Sequence, residues 1–99
     1  MEKIWSFYEF KGRNSRRGAI TEWLDGEDPR IEDEFRDTLE YLEVTMEWRR
    51  PAFDAYEYGL SEIRCKSNPL KREIRVYGVF GPHRHCFTML VGSTKHEEG

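Results

Sequence analysis

No run of about eighteen apolar residues occurs anywhere in this 99-residue chain, so no segment reads as a membrane-spanning helix. The opening Met1-Glu2-Lys3-Ile4-Trp5 lacks the charged-then-oily pattern of a secretory leader, and the chain is expected in the cytoplasm. Cysteine is scarce too. Two residues, Cys65 and Cys86, are too few for a disulfide framework. Both fall on predicted strands, where a small buried thiol is the expected role. A bridge between them would need neighbouring strands and an oxidising compartment. Internal repeats, linkers and low-complexity stretches are absent, which leaves one domain over residues 1–99. Hydrophobic residues make up only 37%, but three Trp, five Tyr and six Phe supply bulky core material.

What is present is charge, unevenly spread. The net value of −3 hides segments of +3 over residues 1–21, −9 over 22–47 and +3 over 48–99. Such separation suits a polyanion against the basic segments and solvent or a basic partner against the acidic one.

Residues 3–10 alternate well enough for an opening strand, and apolar side chains on both faces suggest a central place in a sheet. Asn14 or Ser15 can cap a short helix running to Gly26, with Ala19, Ile20, Trp23 and Leu24 as its apolar stripe. A second helix is expected with Asp28 as N-cap and Pro29 as its first residue. Ile31, Phe35, Leu39, Leu42 and Met46 recur at helical spacing as its core face, and Arg49-Arg50-Pro51 marks the exit. Turns at Ser67-Asn68-Pro69-Leu70 and Gly81-Pro82-His83 then separate strands at about 58–66, 72–80 and 84–92. The fold class is therefore α+β: an N-terminal strand, a helical hairpin and a three-stranded antiparallel meander, in one sheet with helices on one face.

In the last third, Arg64 and Arg75 fall on polar faces of neighbouring strands, and Lys95-His96 closes the final strand. Tyr77 shares a face with Arg75. Cations on one sheet face, with apolar residues turned the other way, suit a phosphate ligand.

Three stretches carry a resemblance: Gly59-Leu60-Ser61-Glu62-Ile63-Arg64, Glu73-Ile74-Arg75-Val76-Tyr77, and Leu90-Val91-Gly92-Ser93-Thr94-Lys95. Together they resemble the RelE/HigB-like toxins of bacterial toxin–antitoxin systems, in the phage-derived branch. The match covers about 58–96, and the order of elements before it agrees. The resemblance implies a ribosome-dependent mRNA endoribonuclease, an mRNA interferase, which uses the RNA 2′-hydroxyl as nucleophile without metal or other cofactor. It implies as partners the ribosome, mRNA and a cognate antitoxin, of helix-turn-helix or similar type. Arg75 would be the phosphate clamp, Arg64 a second cation, Lys95 the basic residue after the last strand, and His96 the acid/base group. Tyr77 would stack on a base or orient the phosphate. The basic residues often found just before the Arg64 position are here Leu60 and Glu62. A competing expectation is a catalytically degenerate, phage-borne relative that binds protein or RNA.

Arg13, Arg16 and Arg17 precede or begin the first helix and are candidates for RNA phosphate contacts, with loop solubility as the plainer role. His83-Arg84-His85-Cys86 invites a zinc reading, but the spacing fits no established structural zinc pattern, so no metal is expected.

Overall fold

The computed structural model of the chain describes residues 2–96. Among these, strands β1 (Ser6–Glu9), β2 (Phe53–Ala55), β3 (Leu60–Ser67), β4 (Arg72–Phe80) and β5 (Cys86–His96) form one sheet in the order β1-β5-β4-β3-β2. Helices α1 (Ala19–Asp25) and α2 (Pro29–Glu43) lie between β1 and β2 in sequence. The sheet is mixed: β2, β3, β4 and β5 pair antiparallel, and β1 joins β5 in parallel. The class is α+β.

Local chemistry explains α2. Asp28 accepts a hydrogen bond from the Arg30 backbone N–H at 2.9 Å, satisfying one orphan donor of the first turn. Its carboxyl is held down at about 2 by the Arg30 side chain and backbone N–H. Ile31, Phe35 and Leu42 are buried as the spacing predicts. Met46 is not; it lies beyond the helix and is 61% exposed. The expected exit at residues 49–51 also moves, since α2 stops at Glu43. Two tryptophans account for that end: Trp5 Nε1 donates to Thr45 O (2.9 Å), and Trp48 Nε1 donates to Leu42 O (2.9 Å) and Thr45 O (3.1 Å). These bonds satisfy carbonyls that helix termini leave open.

The start of α1 differs from the sequence expectation for a similar reason. Its N-cap is Gly18, four or three residues beyond Asn14 and Ser15, and Gly18 offers no side chain. The cap comes from β1 instead: the Thr21 N–H and hydroxyl both donate to the Glu9 carboxylate at 2.8 Å. A Cβ on Gly18 would collide with that carboxylate, which is why glycine sits there.

The core forms where Ile20, Phe35 and Leu42 meet Phe53, Ile63, Val76, Phe87 and Met89 from the sheet. Trp48 inserts beside it, stacked on Phe7 at 5.5 Å and edge-on to Phe53 and Phe87. β1 is an edge strand, not the central one expected. Its two-faced apolar character reflects Phe7 on the core and Tyr8 left half exposed. Cys86 is buried and Cys65 partly so; both are free thiols, on strands separated by β4.

A bulge decides what the end of β5 presents. Tyr77 pairs with Val91 but Gly78 pairs with Met89, leaving Leu90 as the extra residue. Phe87 and Met89 face the helices before the bulge, whereas Gly92 and Thr94 do so after it. A Cβ on Gly92 would enter the Trp23 ring of α1, so only glycine lets that helix lie flat on β5.

Candidate functional site

Cross-strand partners share a sheet face, so the registers define what the open face carries. One row across β3, β4 and β5 is Arg64–Arg75–Ser93. The adjacent row toward the tyrosines is Asp54–Glu62–Tyr77–Val91, and on the other side lies Lys66–Glu73–Lys95. Four of the expected site residues, Arg64, Arg75, Tyr77 and Lys95, are therefore brought onto one surface.

His96 is not. It pairs with Arg72, which lies along β4 on the same face as Ile74 and Val76, and so belongs to the face that holds the helices. The bulge at Leu90 is the physical reason: the extra residue reverses the alternation and puts Lys95, rather than His96, on the open face. Arg13, Arg16 and Arg17 lie on the β1–α1 connection, with β5 and β4 between β1 and Arg64. Arg17 is ion-paired with Asp25. His83 lies in the β4–β5 turn, and His85 packs its ring against Trp5 at 5.2 Å. Cys65, partly buried, has its thiol pushed up to about 11 by burial, which disfavours the thiolate a nucleophile needs.

The two arginines stand directly opposite each other, an arrangement that like charges disfavour. Glu62 reconciles them. Its side chain is wholly buried although it sits on the open face, with Arg64 Nε donating closely to Oε1 and Arg75 Nη1 3.7 Å from Oε2. Oε2 is buried with no hydrogen-bond partner of good geometry, even though the Tyr77 hydroxyl approaches. Burial alone would raise the Glu62 carboxyl, but the Arg64 hydrogen bond, the polar Tyr77 hydroxyl nearby and the charges of Arg64 and Arg75 outweigh it. The carboxyl titrates below the ordinary glutamate value. In return, the Arg64 guanidinium is held above its usual value by Glu62 and Tyr56, and that of Arg75 by Tyr77 and the Glu62 charge. Tyr77 is itself raised, first by Glu62, and so stays a neutral donor at physiological pH.

Further contacts fix the guanidinium planes. Arg64 Nη2 donates to Asp54 Oδ2 (3.2 Å) and to the Tyr56 hydroxyl (3.0 Å), and Arg75 Nη2 donates to Glu73 Oε2 (3.3 Å). Arg50 adds a second cation to Asp54 at 3.1 Å. Both site arginines nevertheless keep about a third of their side chains in solvent, 33% and 36%. A groove of about 560 Å³ opens beside them, lined among others by Pro51, Ala52, Lys66 and Glu73. The arrangement offers two oriented, permanently charged forks to an anion at the surface.

Glu62 stands out in the sequence only as a departure from the basic pattern before Arg64, with no sign of its burial between the two arginines. The signal was available in one form: an acid replacing the basic residues expected before Arg64. Comparison of the chain with protein-family models, with curated proteins and with solved structures finds no match in any of the three.

Proposed function

We propose that the protein is an mRNA endoribonuclease of the RelE/HigB toxin kind, with the Arg64–Arg75 pair on the open sheet face as its phosphate clamp. The observation that carries this reading is the cross-strand alignment of the two guanidinium groups, oriented by Glu62 and flanked by Tyr77 and Lys95. The sequence likeness over residues 58–96 supplies the reaction class. The RNA 2′-oxygen attacks the adjacent phosphorus and the bond to the 5′-oxygen breaks. One proton passes from the 2′-hydroxyl to water, and one arrives on the departing 5′-oxygen. Negative charge grows on the phosphoryl oxygens, where fixed guanidinium donors stabilise it more than they stabilise the starting diester. Lys95 is on the same face and, among the described residues, forms no ion pair. Its ammonium is the group this reading assigns to the leaving oxygen. The RelE-like arrangement of helices and meander, the ribosome as the place of action and a cognate antitoxin as the silencing partner all belong to this proposal.

One observation favours the alternative of a binding module without catalysis. Each site arginine is already matched by carboxylates, Glu62 and Asp54 for Arg64 and Glu62 and Glu73 for Arg75. A substrate phosphate has to compete with Glu73 for Arg75. Expression in a bacterial host separates the readings. The native chain should arrest growth, and Arg75→Ala, a change at a partly exposed position, should abolish the arrest while the protein stays folded. Equal arrest by Arg75→Ala would overturn the clamp, and no arrest by the native chain would favour the binding module.

A further inference from the structure

Cations and carboxylates alternate across the open face. Arg50 and Arg64 share Asp54 Oδ2 at 3.1 and 3.2 Å, Glu62 lies between Arg64 and Arg75, and Arg75 Nη2 donates to Glu73 Oε2 at 3.3 Å. The three carboxylates are not equivalent. Glu62 is wholly buried, and Asp54 keeps only 15% of its side chain in solvent while holding two arginines. Glu73 is 31% exposed, and of the three it alone lines the groove of about 560 Å³ beside the arginines.

The surroundings of Glu73 let its carboxylate leave. The contact with Arg75 joins two side chains that are each about a third exposed, and water-screened pairs of this kind hold weakly. Lys66 on β3 and Lys95 on β5 stand directly across from Glu73, so a carboxylate turned away from Arg75 keeps cationic neighbours on both sides. Glu62 stays in place and keeps Arg75 oriented when Glu73 moves. The anion that takes over the fork gains a contact that Glu73 lacks: Arg64 stands opposite Arg75, so one phosphate can meet both guanidinium groups. A lone small anion has little to set against a carboxylate tethered at the site, whereas a phosphate within a strand arrives with its neighbours' contacts as well.

We propose that Glu73 is a displaceable gate on the clamp: its carboxylate occupies the Arg75 fork in the free protein and gives it up to a single-strand phosphate that meets Arg64 at the same time. The inference rests on the phosphate-clamp reading above and concerns the regulation of that site. Isolated anions are refused, and a strand that makes several contacts at once is admitted.

The test uses the full chain and a single-stranded 2′-O-methyl oligonucleotide, which cannot be cut because its 2′-oxygen is blocked. Equilibrium binding is measured for the native protein, Glu73→Gln, Glu57→Gln and Arg75→Ala at physiological salt, where charges more than about 8 Å apart are largely screened. Glu57→Gln removes an equal charge from the exposed turn beside Tyr77, where among the described residues no ion pair holds the carboxylate. Glu73→Gln should bind about three- to fivefold more tightly than the native chain, the gain expected from releasing one partly exposed ion pair, with folding stability little changed. Glu57→Gln should change the affinity far less. Unchanged or weaker binding by Glu73→Gln overturns the gate alone. Equal tightening by Glu73→Gln and Glu57→Gln also overturns it, since net charge is then the whole effect. If Arg75→Ala binds as the native chain does, the clamp falls and the gate with it. If neither the native chain nor Glu73→Gln binds the strand, both fall.

Discussion

The two faces of the sheet are made from the same strands and solve opposite problems. The covered face buries Ile63, Val76, Phe87 and Met89 against two helices, where dense packing is the source of stability. The open face sets Arg64 opposite Arg75 and needs a buried carboxylate, Glu62, to hold them there. A fold does not require that second arrangement. Replacing a buried charged group by apolar residues together with its partners is often neutral or favourable, so the cluster is better understood as a device for orientation than as a source of stability.

The comparison breaks most visibly on the covered face. Phe87 is fully buried and touches the rings of Trp48 and Phe80, so Phe87→Ala should cost about 3–5 kcal/mol in denaturant unfolding. An effect near zero would mean that the core lies elsewhere.

Glu62→Gln should follow, with a loss of about 1–3 kcal/mol, because the two guanidinium groups lose the charge between them. Its pH dependence is specific. The folded carboxyl titrates below its unfolded value of about 4.3, so its stabilisation is complete above that pH and fades as the pH falls through the folded value. Acid unfolding curves of the native chain and Glu62→Gln should therefore converge toward low pH. Parallel curves would remove Glu62 from the account.

Glu9→Gln weakens a cap without touching either face, and the expected cost is about 1 kcal/mol, read as a shift in the unfolding midpoint. The smallest effect belongs to Tyr58→Gly. Relief of the left-handed tyrosine should leave stability unchanged or slightly higher, and a clear loss would show that Tyr58 packs on something.

Legibility in the sequence followed the range of the interactions. Asp28 and Pro29 announce α2 because capping is chemistry between neighbours. The face shared by Arg64, Arg75 and Tyr77 follows from residue-by-residue alternation in β3 and β4. The remainder depends on partners far away in the chain. Glu9 caps a helix twelve residues on, and the indole of Trp5 meets a carbonyl forty residues away at the end of α2. The three residues of β2 are too short to show a period. The Leu90 bulge, set by pairing with β4, separates Lys95 from His96, which alternation alone cannot reveal. Glu62 was visible only as a residue type; its burial between two arginines comes from the register.

The central claim is that Arg75, held opposite Arg64, stabilises charge on an RNA phosphate as the 2′-oxygen attacks it. Purified native protein and Arg75→Ala, added to ribosomes translating a defined mRNA, test it directly when the RNA ends are mapped chemically. The native protein should cut the message and leave 2′,3′-cyclic phosphate ends, and Arg75→Ala, folded to the same stability, should leave it intact. Uncut message with the native protein, or equal cutting by Arg75→Ala, would contradict the account.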